Sequence, residues 1–154
     1  MPRFRTKQRV QHSATDMFDL VADVETYPQF VPLCQSLRVR RRTTGAEDIE
    51  TIVAEMTVAY KVMRETFVSR VTLDRPNLKI QVEYLDGPFS TLDNRWTFTP
   101  AGEGGCDVEF FIAYEFKSRV LGMLMGAMFE AAFRRFAGAF ERRADAVYGR
   151  ASAS

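Results

Sequence analysis

The sequence predicts a single α+β domain, in which an antiparallel sheet of about seven strands packs against one long C-terminal helix. Apolar residues recur at every second position in several segments separated by glycine and proline turns, a pattern typical of antiparallel strands. The stretch from residue 118 to about residue 148 lacks proline and is rich in strong helix formers, which predicts the helix. The chain of 154 residues has the size of one domain; we place it at residues 1–150, with 151–154 as a frayed tail.

The N-terminal elements are predicted to be a basic strand and two short helices. Every second residue from Arg3 to Arg9 is basic, which predicts a strand with one strongly basic face. Ser13 and Asp16 have the spacing of a helix cap, and they predict a short helix that ends at about Asp23. The segment 27–32 contains two prolines, so we expect only a short helical turn before the second strand.

Six further strands are predicted before the long helix. Period-two patterns and β-branched residues place them at residues 37–43, 49–62, 64–73, 78–84, 91–99 and 106–116. Gly45, Pro76, Gly87 and Gly104 lie between these segments, and residues of these types favour turns. The pattern therefore predicts a sheet built largely from consecutive antiparallel strands.

The long helix is amphipathic along most of its length. Five residues share one face, which we expect to pack on the sheet: Met125, Phe129, Ala132, Phe136 and Phe140. The first turns are apolar almost all round, because Val120, Met123, Leu124 and Ala127 lie outside that face. Two interpretations stay open for them. Strands or loops bury them, or they border the mouth of a cavity and contact a bilayer surface.

Three short segments are more specific than these patterns. They are DVETYPQFVPLC at residues 23–34, DGPF at 86–89 and WTF at 96–98. Together with the element order, they resemble the coenzyme-Q-binding START-domain family, also described as polyketide cyclase/dehydrase-like, from Arg3 to about Tyr148. The resemblance implies a helix-grip fold, in which a curved antiparallel sheet wraps around the last helix. It also implies one of two functions: ubiquinone binding in support of respiration, or a ribosome-association toxin that binds the large ribosomal subunit and blocks subunit joining.

This resemblance predicts a protein that binds a hydrophobic ligand, with ubiquinone preferred, in a cavity between sheet and helix. No cofactor is required, and contact with a membrane surface would be transient. The candidate ligand-binding residues are Met56, Val58, Tyr84, Phe89, Trp96, Phe98, Phe110, Ile112, Leu121, Leu124, Met125, Met128, Phe129 and Phe136. Core packing is the ordinary alternative for these side chains. Phe89 and the apolar start of the long helix also form the candidate gate of the cavity. The candidate hydrogen-bond donors to a quinone carbonyl are Tyr60, Tyr84, Tyr114 and Trp96.

Composition limits the other classes of function. The net charge is only +1, so we expect no DNA binding. The two cysteines, Cys34 and Cys106, have no metal-ligand spacing, which favours buried thiols in a reduced compartment over a single disulfide. No apolar run has the length of a membrane span or the position of a signal sequence. We therefore expect a cytoplasmic protein, or one that is peripheral on the inner membrane.

An enzyme is not expected from these residues. The only histidine, His12, lies beside the predicted helix cap, and no nucleophile elbow, phosphate-binding loop or dinucleotide motif is present. A cyclase or dehydrase reaction stays an alternative if Glu55 or Glu65 points inward.

If the protein binds the large ribosomal subunit, we expect the basic strands to form the contact. Arg38, Arg40, Arg41 and Arg42 give the second strand a basic face. If the first two strands are neighbours, their basic faces form one patch for lipid phosphates or ribosomal RNA. A solvated sheet edge protected by charge is the ordinary alternative.

Overall fold

The computed structural model describes residues 2–149 and contains a seven-stranded sheet, two α-helices and two short 3-10 helices in that range. The elements are β1 Arg3–Val10, α1 Ala14–Ala22, a 3-10 helix Val24–Gln29, β2 Cys34–Thr44, a 3-10 turn Ala46–Asp48, β3 Ile49–Tyr60, β4 Met63–Asp74, β5 Lys79–Asp86, β6 Phe89–Ala101, β7 Gly105–Phe116 and α2 Arg119–Tyr148. The predicted α+β class and element order are confirmed. The tail predicted at 151–154 lies outside the described residues.

The sheet is antiparallel throughout, in the order β1-β7-β6-β5-β4-β3-β2. β1 pairs with β7, from Arg3 opposite Ala113 to Val10 opposite Cys106. β1 and β2 are therefore the two edges of the sheet, and the expectation that their basic faces form one patch is wrong. The reason is that α1 and the 3-10 helix carry the chain from one edge to the other, so that it returns to β1 only with its last strand.

The two short helices close one end of the core. Ser13 caps α1, because its Oγ accepts a hydrogen bond from the backbone N–H of Asp16 at 3.0 Å. The apolar face of α1 is buried, and Phe18 packs edge-on against Phe98 with 5.9 Å between ring centroids. The Tyr27 hydroxyl, in the 3-10 helix, donates to the Val21 carbonyl at 2.5 Å, which fixes the second helical segment against the first.

The long helix α2 packs on the inner face of the sheet. Its buried residues are Met125, Phe129, Ala132, Phe133, Ala139, Phe140 and Ala144. The predicted inner face is confirmed at Met125, Phe129, Ala132 and Phe140, whereas Phe136 is only half-buried. Within residues 2–149, no helix combines the length and the apolar character that a membrane crossing requires.

Candidate ligand-binding cavity

A cavity of about 110 Å³ lies between the inner face of the sheet and α2. Strands β3 to β7 contribute to its wall because alternate side chains of each strand point inward. The helix contributes Phe129, Ala132, Phe133, Phe136 and Phe140, which recur at three- and four-residue spacing along one face. The wall is completed by the segment Val31 to Leu33, by Val24 and Tyr27 of the 3-10 helix, and by Leu37 of β2. The result is a site with a predominantly apolar lining.

The structure brings together eight of the fourteen candidate residues. The cavity wall contains Met56, Val58, Phe89, Trp96, Phe110, Ile112, Phe129 and Phe136. Six others lie outside the wall: Tyr84, Phe98, Leu121, Leu124, Met125 and Met128. These six differ in their exposure to solvent: Leu124 is 61% exposed, whereas Met125 is fully buried in the core. A ligand-binding role for the eight remains a prediction.

Sequence patterns missed several residues of the wall. Phe133 is four residues after Phe129 on the same helical face, and that spacing could have identified it. Ser69 on β4 and Asn94 on β6 are polar residues among apolar wall residues of the same strands. Glu65, opposite Val58, also lies on the inner face of β4, but outside the cavity wall. Alternation along β4 and β6 places Ser69 and Asn94 on the inner face, but no sequence pattern indicates that their neighbours leave space around them.

Polar groups are few in this wall. Ser69 is only 6% exposed and lines the cavity, and its hydroxyl takes part in none of the hydrogen bonds described within residues 2–149. Asn94 uses one N–H of its amide, which donates to the Phe111 carbonyl at 2.9 Å. Tyr27 is the one titratable side chain of the wall within the described range, and burial raises its pKa far above the ordinary value. The wall therefore offers hydrogen bonds to a ligand but no ionised group at neutral pH.

Phe89 lies in a cluster of aromatic rings at one end of the cavity. Its ring is 1% exposed and stacks on Phe116 with centroids 4.9 Å apart, and it contacts Tyr84 and Phe129 at 5.7 and 5.8 Å. The backbone N–H of Phe89 donates to the Tyr84 hydroxyl at 3.0 Å. Phe89 is therefore packed within the core, and a gate role for it stays a prediction.

The turn before Phe89 requires glycine. Gly87 has a φ of +144°, and a Cβ there would lie 2.5 Å from the Cβ of Phe67. Because no other residue fits so close an approach, the β5–β6 turn is held tightly against β4. This geometry supports the interpretation of DGPF as a defined turn.

Other titratable groups lie outside the cavity wall. Glu55 points to the sheet edge, where a hydrogen bond from Arg40 and the nearby Arg38 lower the pKa of its carboxyl group. The idea that Glu55 points inward is therefore wrong. His12 is buried beside α2, with its Nε2 2.7 Å from Oδ1 of Asp145. Among the residues described, no group of His, Cys, Asp and Glu side chains is arranged to hold a metal ion.

Both cysteines are free and buried, as predicted from their spacing. Burial raises the pKa of each thiol to about 11. Neither side chain lines the cavity.

The basic edge at β2 is largely neutralised by its own carboxylates. Arg38 and Arg40 both pair with Glu55, and Arg42 pairs with Glu25 and Glu50. This pairing agrees better with a charge-protected sheet edge than with a free phosphate-binding patch.

The chain is similar to a known protein family and to several known proteins. A model of the family described as polyketide cyclase/dehydrase and lipid transport matches residues 10–141. The ribosome association toxin RatA of Escherichia coli K12 is 34% identical over 152 residues, which cover 96% of this chain and 90% of that protein. The mitochondrial coenzyme Q-binding protein COQ10 homolog B of Xenopus laevis is 31% identical over 142 residues, which cover 90% of this chain and 56% of that protein.

The fold is shared with several solved structures. A START superfamily protein from Mycobacterium smegmatis matches with a TM-score of 0.77 at 19% identity, over 94% of this chain and 98% of that one. The Zhui aromatase/cyclase from Streptomyces sp. R1128 matches with a TM-score of 0.74 at 16% identity, over 93% of this chain and 90% of that one. At these identities the likeness concerns the fold alone, and it confirms the expected helix-grip arrangement.

Proposed function

This chain belongs to the polyketide cyclase/dehydrase and lipid transport family, and from that premise we propose that it carries a hydrophobic, lipid-like ligand in the cavity under α2. The observation that supports this most directly is a cavity lined by apolar and aromatic side chains, with few polar groups. Such a wall favours binding by burial of apolar surface, at about 0.8 kcal/mol for each buried methylene. The wall holds no carboxylate, imidazole or thiol within residues 2–149, so we propose that the ligand is bound without chemical change.

Ubiquinone is the ligand that we propose. Its isoprenoid tail suits the apolar wall, and a relative similar over most of this chain is named as coenzyme Q-binding. The empty cavity of about 110 Å³ is smaller than the roughly 300–1,000 Å³ of sites that bury a drug-sized ligand. The quinone must therefore widen the site as it enters. Met56 and Phe136 are only partly buried, and we expect them to move first.

A lipid carrier must exchange its ligand with a bilayer, and the start of α2 suits that contact. Val120, Met123 and Leu124 are 64%, 83% and 61% exposed, so the alternative that strands or loops bury them is wrong. Val62, in the β3–β4 turn, is 99% exposed. The β3–β4 turn projects from the end of the sheet where α2 begins. It lies beyond Val68, which pairs with Asp86 at the end of β5, and Phe89 after that strand pairs with Phe116, just before α2.

Basic side chains flank these exposed apolar residues. Lys61 precedes Val62, Lys117 lies just before α2, and Arg119 is the first residue of α2; all three are exposed and form no salt bridge with another residue of the described range. Apolar residues beside unpaired cations fit the surface of a bilayer that contains anionic lipids. We propose that this end makes a transient contact there, with the protein otherwise cytoplasmic or peripheral on the inner membrane.

The test of the carrier proposal begins with protein purified from its own host. Organic extraction and mass spectrometry then identify any lipid that co-purifies in stoichiometric amount. In a second arm, a short-chain ubiquinone is titrated while the emission of Trp96 is recorded. Trp96 is the sole tryptophan and lines the cavity, so a bound quinone should quench it. An empty protein whose emission does not change with quinone would refute the proposal.

Ribosome association is the second candidate function. A relative that is 34% identical and matched over 90% of its own length is named ribosome association toxin RatA, which favours this function. The pairing of the β2 arginines with carboxylates argues against it. Reversing the charge of Arg38, Arg40 and Arg42 should abolish cosedimentation with large ribosomal subunits while ligand binding is retained, if this function is correct. Cosedimentation unchanged by these substitutions, or absent in the wild type, would count against it.

A further inference from the structure

The cavity wall contains two hydrogen-bond donors that no protein group uses fully. Ser69 is 6% exposed as a residue and lines the cavity, and none of the hydrogen bonds described within residues 2–149 involves its hydroxyl. One N–H of the Asn94 amide is held by the Phe111 carbonyl at 2.9 Å, so the second N–H of that amide remains for a ligand. A buried polar group without a partner is unfavourable, and its presence in a core therefore needs a reason.

Sheet register relates these two donors to each other. Ser69 on β4 faces Tyr84 on β5, and Asn94 on β6 faces Val82, so β5 separates them and they are offset by two residues along it. Two strand spacings and this offset put their Cα atoms roughly 12 Å apart. A hydrogen bond from each donor spans about 3 Å, which leaves about 6 Å between the two acceptor atoms. This separation suits two oxygens at opposite positions of one six-membered ring.

The apolar surroundings make these donors selective. The inward neighbours of Ser69 on β4 are Phe67 and Val71, and those of Asn94 on β6 are Leu92 and Trp96. A ligand oxygen placed there loses its water, and a hydrogen bond to Ser69 or Asn94 replaces it. The donors therefore set the position of the polar part of the ligand along the cavity.

We propose that Ser69 and Asn94 form a head-group subsite, which selects a lipid whose ring carries hydrogen-bond-accepting carbonyl oxygens and orients that ring across β5. This inference rests on the proposed carrier function and specifies the ligand class of the same cavity. A purely hydrocarbon ligand would fill the cavity but leave both donors unpaired.

The test compares two probes on matched variants. Binding of the first probe, a short-chain ubiquinone, is measured by the quenching of Trp96 emission. Binding of the second probe, an alkylbenzene of the same chain length, is measured by the recovery of that emission as it displaces the quinone. Ser69→Ala should lower the affinity for the quinone by about 3- to 10-fold, the value of one hydrogen bond, and leave the affinity for the alkylbenzene unchanged. Ser36→Ala, at an exposed position of β2, is the control and should change neither affinity.

Thermal unfolding separates a binding role from a structural one. Because none of the hydrogen bonds described within residues 2–149 involves the Ser69 hydroxyl, Ser69→Ala should melt at the wild-type temperature or above it, whereas loss of a structural hydrogen bond would lower that temperature. Ser69→Thr, which keeps the hydroxyl, should retain preference for the quinone. Equal losses for both probes, or an unchanged quinone affinity in Ser69→Ala, would overturn the subsite. If neither probe binds the wild type, the carrier proposal itself fails, and that outcome is distinct from the other two.

Discussion

Filling the cavity from the sheet side should block the ligand without harming the fold. Ala54 lies in the wall on β3 and is 3% exposed. Leucine adds three carbon atoms to the side chain, and they enter the cavity of about 110 Å³ that the ligand would occupy. The ligand loses room for as many carbons, at about 0.8 kcal/mol each. Ala54→Leu should therefore weaken binding by about 2.4 kcal/mol, or roughly 50-fold.

The assay for this variant is quenching of Trp96 by a short-chain ubiquinone, with thermal unfolding measured in parallel. The melting temperature should stay the same or rise, because the added carbons fill empty space and do not displace packed side chains. Ala131→Leu makes the same change at an exposed position of α2 and should bind as the wild type does. Wild-type affinity in Ala54→Leu, or an equal loss in Ala131→Leu, would refute the placement of the ligand in this cavity.

Three further predictions concern the membrane contact, the thiols and the buried histidine. Met123→Asp should reduce cosedimentation with vesicles of equal parts phosphatidylcholine and phosphatidylglycerol by at least about tenfold, because placing a charge near lipid is unfavourable. Val147→Asp, the same change at a 51% exposed residue near the other end of α2, should not, and equal losses would contradict the contact. Because burial raises the pKa of both thiols from the ordinary value of 9.0 to about 11, their contribution to stability is complete below pH 9 and falls as the pH rises toward 11. Denaturant unfolding across that range should show the decline, and a flat profile would contradict burial of the thiols. His12→Phe removes the partner of Asp145 and should lower the free energy of unfolding by about 1–3 kcal/mol with quinone affinity retained; loss of quinone binding in a folded variant would contradict its structural role.

The sequence predicted the elements more accurately than the site. Strand ends agree with the structure to within a few residues, and the cap at Ser13 was found because a cap is a local pattern. Phe98 and Met125 were predicted to line the cavity but are packed in the core. An inward position does not distinguish a side chain that borders empty space from one that meets another side chain, since both are buried.

Three kinds of information thus came from the sequence alone: the α+β class, the order of the elements and the inner face of most of α2. These follow from hydrophobic periodicity and local turn chemistry, which act over a few residues. The tertiary structure decided the rest: that β1 lies beside β7 and far from β2, that the β2 arginines are paired, and that Ser69 and Asn94 face a cavity. Periodicity indicates which side of an element is buried, whereas only the assembled strands determine what lies opposite that side.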